Sequence, residues 1–270
     1  MNEVTPRFGI AYFGCHDPRH IARDLREIAR DFQWVCLPVT ESDLRYSAGT
    51  IAQIVAAAHR VGLGVWCCPW GVAGLFGGEA ISALAHLCPR TPAVQDALER
   101  WVRVVAGAGA DAVLWDEPHG RCCDVWPIVG RLVALATERG LLNALCLAPE
   151  RAWPSADVLG GVASIGVDPY WLPDHRQDRV DYATQWVERA EALARAVGAT
   201  THVWVQCFRV GASAEPEVGE MLEWAVRRGV PDVAIWGYRG CAVMSGLTCE
   251  RPQRLWRRVT ATARRLRAVP

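Results

Sequence analysis

The sequence Asp111-Ala-Val-Leu-Trp-Asp-Glu-Pro118 contains the run that decides the fold. Ala112 to Trp115 predict a buried strand, because short apolar runs bounded by turn-forming residues are typical of one. Pro118 has no N–H to donate to a sheet, so the strand ends before it. Asp116 and Glu117 then follow the carboxyl end of a strand, where α/β folds carry their sites. Adjacent side chains of an extended segment point to opposite sides, so we expect only one of the two to face a cavity squarely.

Seven other short apolar runs also predict strands, and helical patterns separate most of them. The eight predicted strands are residues 8–13, 34–39, 63–66, 112–115, 142–147, 163–167, 201–206 and 233–236. The predicted helices are residues 17–32, 50–62, 91–106, 124–139, 180–197, 217–228 and 252–266, and the crossover after the fifth strand is short. Strands that alternate with helices at this spacing predict a closed (β/α)8 TIM barrel. No linker-like stretch divides the chain, so we expect residues 1–270 to form a single domain.

Composition limits the partners of the chain. The formal net charge is +0, which gives no reason to expect nucleic acid or an anionic membrane as a partner. No apolar run is long enough for a membrane span, and Met1 to Ile10 lacks the basic and apolar parts of a signal peptide. The 11 cysteines form no CxxC pair, so we interpret them as buried thiols in a reducing cytoplasm, without structural zinc.

The basic residues exclude several kinds of chemistry. All 29 are arginine, and the sequence contains no lysine. Schiff-base aldolase chemistry and the attachment of pyridoxal phosphate both need a lysine amine, and a P-loop needs the lysine of its motif. The sequence therefore indicates none of these activities, and we expect no cofactor.

Polar and aromatic side chains collect where the predicted strands end, and a closed barrel would bring them into one bowl. The candidate substrate-binding residues are His16, Glu41, Trp70, His119, Tyr170, Trp171, Gln206, Arg209, Trp236, Tyr238 and Arg239. The chain has 13 tryptophans, and Trp70, Trp115, Trp171 and Trp236 all fall at or near strand ends. Indole faces suit the apolar faces of sugar rings, so the pattern favours a small-molecule sugar or glycoside as the substrate. For Arg239 we expect substrate contact rather than a structural ion pair.

Glycoside hydrolysis needs two carboxyl groups, one acting as an acid and the other as a base or nucleophile. Five carboxylates are candidates, namely Glu41, Asp116, Glu117, Glu150 and Asp168. We predict that Glu117 and Asp116 both lie at the barrel mouth, that Glu117 is the proton donor and that Asp116, Asp168 or Glu150 is its partner. The glycine-rich stretch of residues 71–79 is interpreted as a substrate loop or a tight packing turn.

The strand end Trp115-Asp-Glu-Pro118 resembles the Asn-Glu-Pro of barrel glycosidases in the large retaining clan. The resemblance implies that Glu117 is the acid/base. The sequence departs from that clan in having Asp116 in place of the Asn, and Gln206 where the seventh strand would end in a nucleophilic Glu. Other barrel glycosidases, which have an Asp nucleophile after the fourth strand, imply Asp116 with Glu150 or Asp168. The pattern also resembles an uncharacterised bacterial family of glycosidase-like barrels.

Two other classes of function stay open. A metal-dependent sugar isomerase, epimerase or lyase would use strand-end carboxylates and histidine, here Glu41, Asp116, Glu150, Asp168 and His16, to hold Mg²⁺ or Mn²⁺. A non-catalytic sugar-binding barrel is the third class, and it gains support if Gln206 marks a lost nucleophile. We expect a metal-free glycosidase, because no multi-histidine ligand set is evident.

Overall fold

The structure is a computed structural model that describes residues 5–13, 17–78, 83–120, 122–172, 177–244 and 246–268. Its strands are β1 (Arg7–Ala11), β2 (Trp34–Pro38), β3 (Gly64–Cys68), β4 (Ala112–Asp116), β5 (Leu142–Leu147), β6 (Ser164–Val167), β7 (Thr200–Gln206) and β8 (Asp232–Trp236). They are parallel and pair in chain order, and β8 pairs with β1 to close the barrel. The predicted TIM barrel is therefore confirmed.

The helices surround the barrel, but not at one per crossover. They are α1 (Pro18–Ile28), α2 (Glu41–Tyr46), α3 (Ala48–Arg60), α4 (Pro92–Gly107), α5 (Trp126–Glu138), α6 (Arg179–Val197), α7 (Glu215–Arg227) and α8 (Pro252–Arg267). Two of them, α2 and α3, share the crossover between β2 and β3, while the crossover after β5 contains only the 3₁₀ turn Ala156–Val158. No described helix combines the length and the apolarity that crossing a bilayer requires.

Local capping sets where several helices begin. Asp17 accepts a hydrogen bond from the backbone N–H of Arg19 at the start of α1, with Pro18 as the first helical residue. Thr40 and Asp43 form a capping box that starts α2, in which the Thr40 N–H donates to Asp43 over 2.8 Å. Asp43, which the sequence places at a strand end, is therefore used to cap a helix.

Tryptophan fills the inside of the barrel, where branched aliphatic residues are the usual filling. Trp34 and Trp66 stack with ring centroids 4.0 Å apart, and Trp204 packs edge-on against Trp34. Gly9 provides the space, because a Cβ on this residue would lie 2.0 Å from the Trp34 ring. Much of the tryptophan content is thus core, which corrects the interpretation that a saccharide explains it.

The second hydrophobic layer lies between the barrel and its helices. Strand residues alternate between the two layers, so Trp115 faces outward and Asp116 faces inward. The Trp115 indole N–H donates to the side chain of Asn143 over 2.9 Å, and its ring packs against Phe76 and Trp101. Trp115 is therefore a core residue and not part of a sugar platform.

Candidate active site

Three carboxyl groups meet at the carboxyl ends of β4 and β6. Asp116 is the last residue of β4, Glu117 follows it, and Asp168 comes directly after β6. Asp116 and Asp168 are 8% and 5% exposed, while Glu117 is only half-buried. Cys146 on β5 lies between them, in register with Asp116. The Asp168 carboxyl is hydrogen-bonded to the Glu117 side chain, which requires a proton between the two groups.

The backbone of Glu117 explains how two adjacent carboxylates reach one cluster. Its φ is +42°, so the chain leaves the extended conformation immediately after Asp116. Its N–H still donates to the carbonyl of Cys146 over 2.9 Å. The expectation that only one of the two side chains faces the cavity is wrong, because it assumed that the strand continues through Glu117.

The surroundings of Asp116 and Asp168 favour the protonated form of both acids. Burial, followed by the charge of Glu117, raises the pKa of Asp116 to about 8. Burial also raises the pKa of Asp168 well above its usual range, and the charge of Glu117 and the hydrogen bond between the two side chains raise it further. Both acids therefore hold a proton at neutral pH, and Oδ1 of Asp168 accepts no hydrogen bond from a fixed donor of the described residues.

The glycine-rich loop packs directly on Asp116. The Gly77 N–H donates to the Asp116 carbonyl over 2.9 Å, and a Cβ on Gly77 would lie 2.6 Å from Oδ2 of Asp116. Glu41 holds the same loop, since its Oε1 accepts from the N–H of Ala73 over 2.8 Å. The loop is therefore the packing turn that the sequence offered as one alternative, and Glu41 stabilises this loop through Ala73.

Aromatic rings border the mouth of the barrel next to the carboxyl groups. Trp70 and Trp236 stack with centroids 4.9 Å apart, and Phe13 packs edge-on against both. On the side of β6, Tyr170 follows Asp168 and meets Phe208 edge-on at 5.0 Å. Burial, followed by the charge of Asp168, raises the pKa of Tyr170 well above its usual range, so the phenol keeps its proton.

Unusual backbone conformations concentrate at this end of the barrel. Among the described residues, six non-glycine residues have a positive φ, and all follow the carboxyl ends of strands: Ala73, Glu117, Glu150, Arg209, Arg239 and Cys241. Such conformations cost free energy and cluster at functional sites. They support the carboxyl face as the functional face of this barrel.

Three expected substrate contacts lie outside the mouth. Trp171 is 1% exposed, and its indole N–H donates to Glu217 on α7 over 2.8 Å. Tyr238 donates to Glu27 on α1, and Arg239 forms an ion pair with the same carboxylate. The predictions for Trp171, Tyr238 and Arg239 are therefore wrong, because these side chains fasten helices to the barrel.

Gln206 and Arg209 hold loops in place. Gln206 is fully buried, accepts from the N–H of Leu172 over 3.2 Å and donates to the carbonyl of Phe208 over 3.1 Å. Arg209 is exposed and donates to the carbonyl of Gly246 over 2.8 Å. These contacts give both side chains structural roles, and their contact with a substrate stays a prediction.

The remaining candidates differ in position. Glu150 is exposed on the loop after β5 and is not among the groups that shift the pKa values of Asp116 and Asp168, which argues against it as the partner of Glu117. The His119 ring bonds through Nδ1 to the carbonyl of Glu117 over 2.9 Å and lines a side cavity that does not include the carboxyl cluster. His16 lies outside the described residues.

Replacing Arg239 with lysine is expected to lower the free energy of unfolding by about 1 kcal/mol, because lysine cannot keep both the ion pair with Glu27 and the contact of the guanidinium with the Tyr238 ring. Chemical denaturation measures the change, and Arg258→Lys on the exposed side of α8 is the matched control. Weaker substrate binding with an unchanged free energy of unfolding would instead show that Arg239 contacts the substrate.

The metal-dependent alternative would use His16, which lies outside the described residues, together with four carboxylates. Among the described residues, the one group of three Asp, Glu, His or Cys side chains with ligand atoms within 4.8 Å of one another is Cys88, Cys122 and Cys123, so these four carboxylates do not form such a group. Phe13 and Cys146 were not predicted as site residues, although strand alternation places Cys146 in the same layer as Asp116.

Solved structures with the same fold include glycoside hydrolases. The GH113 beta-mannanase from Alicyclobacillus acidocaldarius is 15% identical with a TM-score of 0.62, covering 97% of this chain and 97% of that chain. GH5_18 from Bifidobacterium longum, solved with Manb1-4GlcNAc, is 13% identical with a TM-score of 0.70, covering 98% of this chain and 79% of that chain. The tryptophan synthase alpha-subunit from Pyrococcus furiosus is 12% identical with a TM-score of 0.56, covering 96% of this chain and 98% of that chain. No protein-family model and no curated protein sequence matches the chain. The likeness to barrel glycosidases is therefore one of fold.

Proposed function

We propose that this protein is a glycoside hydrolase that cleaves a small saccharide or a glycosylated natural product at the carboxyl cluster. The observation that carries the proposal is the hydrogen-bonded pair of Glu117 and Asp168 beside the protonated Asp116. Beta-mannosides are the first substrates to assay, because two of the structural neighbours are described as a beta-mannanase and as a complex with Manb1-4GlcNAc.

The protons of the cluster match the needs of glycoside cleavage. Burial and the charge of Glu117 raise the pKa values of Asp116 and Asp168, so these two acids hold their protons at neutral pH beside Glu117. The cluster thus offers an acid for the leaving oxygen together with a charge that can act as a base or nucleophile, or stabilise the oxocarbenium-like transition state. Glu117 delivers the proton in our proposal, because it is more exposed than Asp116 and Asp168.

The surroundings of the cluster suit a sugar. Trp70 remains half-buried at the mouth, where Trp236 stacks on its ring, Phe13 packs edge-on and Gly78 lies against the indole. An indole held in this way needs little ordering when a sugar contacts it, so binding costs less conformational entropy. The carboxyl cluster on the other side supplies acceptors for hydroxyl groups.

Gln206 does not favour the non-catalytic alternative. Its amide uses a donor and an acceptor to join the loops after β6 and β7. A glutamate could not supply the donor to Phe208, so the amide has its own structural role here. The interpretation of Gln206 as a lost nucleophile is therefore unnecessary.

Turnover is expected to stay within about twofold after exhaustive chelation, because carboxyl groups that hold protons at neutral pH are poor metal ligands. The rate is measured before chelation, after it, and after Mg²⁺ or Mn²⁺ is restored. A loss that either ion reverses would favour the isomerase or lyase class.

The proposal is tested by incubating the protein with a panel of beta-mannosides and other small glycosides and identifying the products by mass spectrometry. Release of a free sugar by the wild type, and its absence with Glu117→Gln, is the expected result. An isomerised or eliminated product would move the chain to another enzyme class. Sugar binding by titration calorimetry without any product would support the binding-only class.

A further inference from the structure

Three cysteines meet beside the mouth of the barrel, on two different loops. Cys88 follows the 3₁₀ turn Ala83–His86 in the loop after β3, and Cys122 and Cys123 lie in the loop after β4. Their sulfur atoms all lie within 4.8 Å of one another. The seven other described cysteines are buried, whereas none of these three is. The interpretation of the cysteines as buried thiols is therefore wrong for this group, which we call the thiol cluster.

The spacing of the thiol cluster fits a metal ion. The Sγ atoms of Cys88 and Cys123 are 3.9 Å apart, about twice the length of a disulfide bond. In a tetrahedral site with Zn–S bonds of about 2.3 Å, two sulfur ligands lie about 3.8 Å apart. The free thiols are thus already near the separation that coordination requires.

An adjacent cavity supplies room for a fourth ligand. Its volume is about 210 Å³, and Cys88, Cys122, His86 and His119 are among its lining residues. The bond from the His119 Nδ1 to the carbonyl of Glu117 leaves Nε2 as its ligand nitrogen, which is the arrangement found behind many metal-bound histidines.

We propose that Cys88, Cys122 and Cys123 bind one thiophilic divalent ion, Zn²⁺ being the natural candidate, with solvent or His119 at the fourth position. Each of the three thiols gives up its proton to solvent when the ion binds, so three S–H bonds are replaced by three metal–sulfur bonds without redox change. The ion would join the loop after β3 to the loop that carries Glu117. The site is independent of the proposed hydrolase activity.

The test is metal binding by the whole, reduced protein, with no activity assay. Cd²⁺ serves as an optical probe because thiolate–cadmium bonds absorb in the ultraviolet, and Zn²⁺ is measured by competition with a chromophoric chelator. We expect one ion per chain and affinity that rises with pH, as thiol deprotonation requires. Cys122→Ser should weaken binding at least tenfold, and the triple serine variant should abolish the absorption band.

Two controls keep the result specific to the thiol cluster. Cys67→Ala removes a buried thiol from β3 and should leave stoichiometry and affinity unchanged. Because Cys122 is exposed, Cys122→Ser keeps the test valid if the triple variant fails to fold. No binding by the reduced wild type at micromolar ion, or equal binding by wild type and Cys122→Ser, would overturn the proposal. So would a chain that only forms a disulfide between Cys88 and Cys123.

Discussion

Glu117→Gln is expected to lower kcat/KM by about 10²- to 10⁴-fold on a glycoside with a poor leaving group. The glutamine keeps the size of the side chain but cannot donate a carboxyl proton to the leaving oxygen. Substrates with a good leaving group need less help from an acid and should lose much less. The measurement is a pair of steady-state rates for wild type and variant on the two kinds of substrate.

Glu150→Gln is the matched control for this prediction. Glu150 also follows a strand at the carboxyl face and also has a positive φ, but it is exposed and does not contribute to the raised pKa values of Asp116 and Asp168. We expect its rate to stay within about twofold of wild type. If Glu150→Gln loses activity and Glu117→Gln keeps it, the acid has been assigned to the wrong strand end.

The second large effect concerns stability. Asp116→Asn is expected to raise the free energy of unfolding by roughly 2–4 kcal/mol near pH 8, because the folded protein raises the pKa of this acid to about 8 from 3.8. A raised pKa contributes stability that is fully present below the unfolded value and is lost as the pH rises through the folded value. The wild type should therefore lose stability between about pH 4 and pH 8, and the asparagine variant should lose less.

The effects of other titrating groups on stability cancel when the free energies of unfolding of the wild type and the variant are compared at each pH. Burial lowers the pKa of His202 to about 3, so that residue costs stability as the pH falls from about 6.5, the opposite direction. Its contribution is common to wild type and Asp116→Asn and cancels in the difference. Asp157→Asn, which makes the same change of acid to amide at an exposed position, is the control variant. A difference between wild type and Asp116→Asn that does not change with pH would show that Asp116 is ionised in the folded protein.

The sequence predicted the barrel because the pattern of strands is repeated eight times and each repeat supports the others. The run at residues 112–115 and its carboxylates gave the correct strand and the correct end of the barrel. The fifth crossover could not be resolved from periodicity, since a 3₁₀ turn of three residues has no helical repeat. The helix α2 was not predicted, although Thr40 and Asp43 have the residue types and the spacing of its capping box.

The individual site residues were harder to predict, because a strand end does not fix the direction of a side chain. Strand alternation turns Trp115 outward when Asp116 faces inward, and the positive φ of Glu117 then breaks the alternation. Arg239 and Tyr238 find Glu27, a residue more than two hundred positions earlier in the chain. Such a long-range pairing leaves no signal in a single sequence.

The most direct test of the central claim is a crystal structure of the protein soaked with a mannose-configured iminosugar, whose ring nitrogen mimics the charge of the glycosyl transition state. We expect the ring against Trp70, with its nitrogen within hydrogen-bonding distance of the Glu117 or Asp168 carboxyl. The same binding should weaken strongly in Glu117→Gln. A sugar that binds outside the mouth, with the pair of Glu117 and Asp168 still intact, would contradict the account.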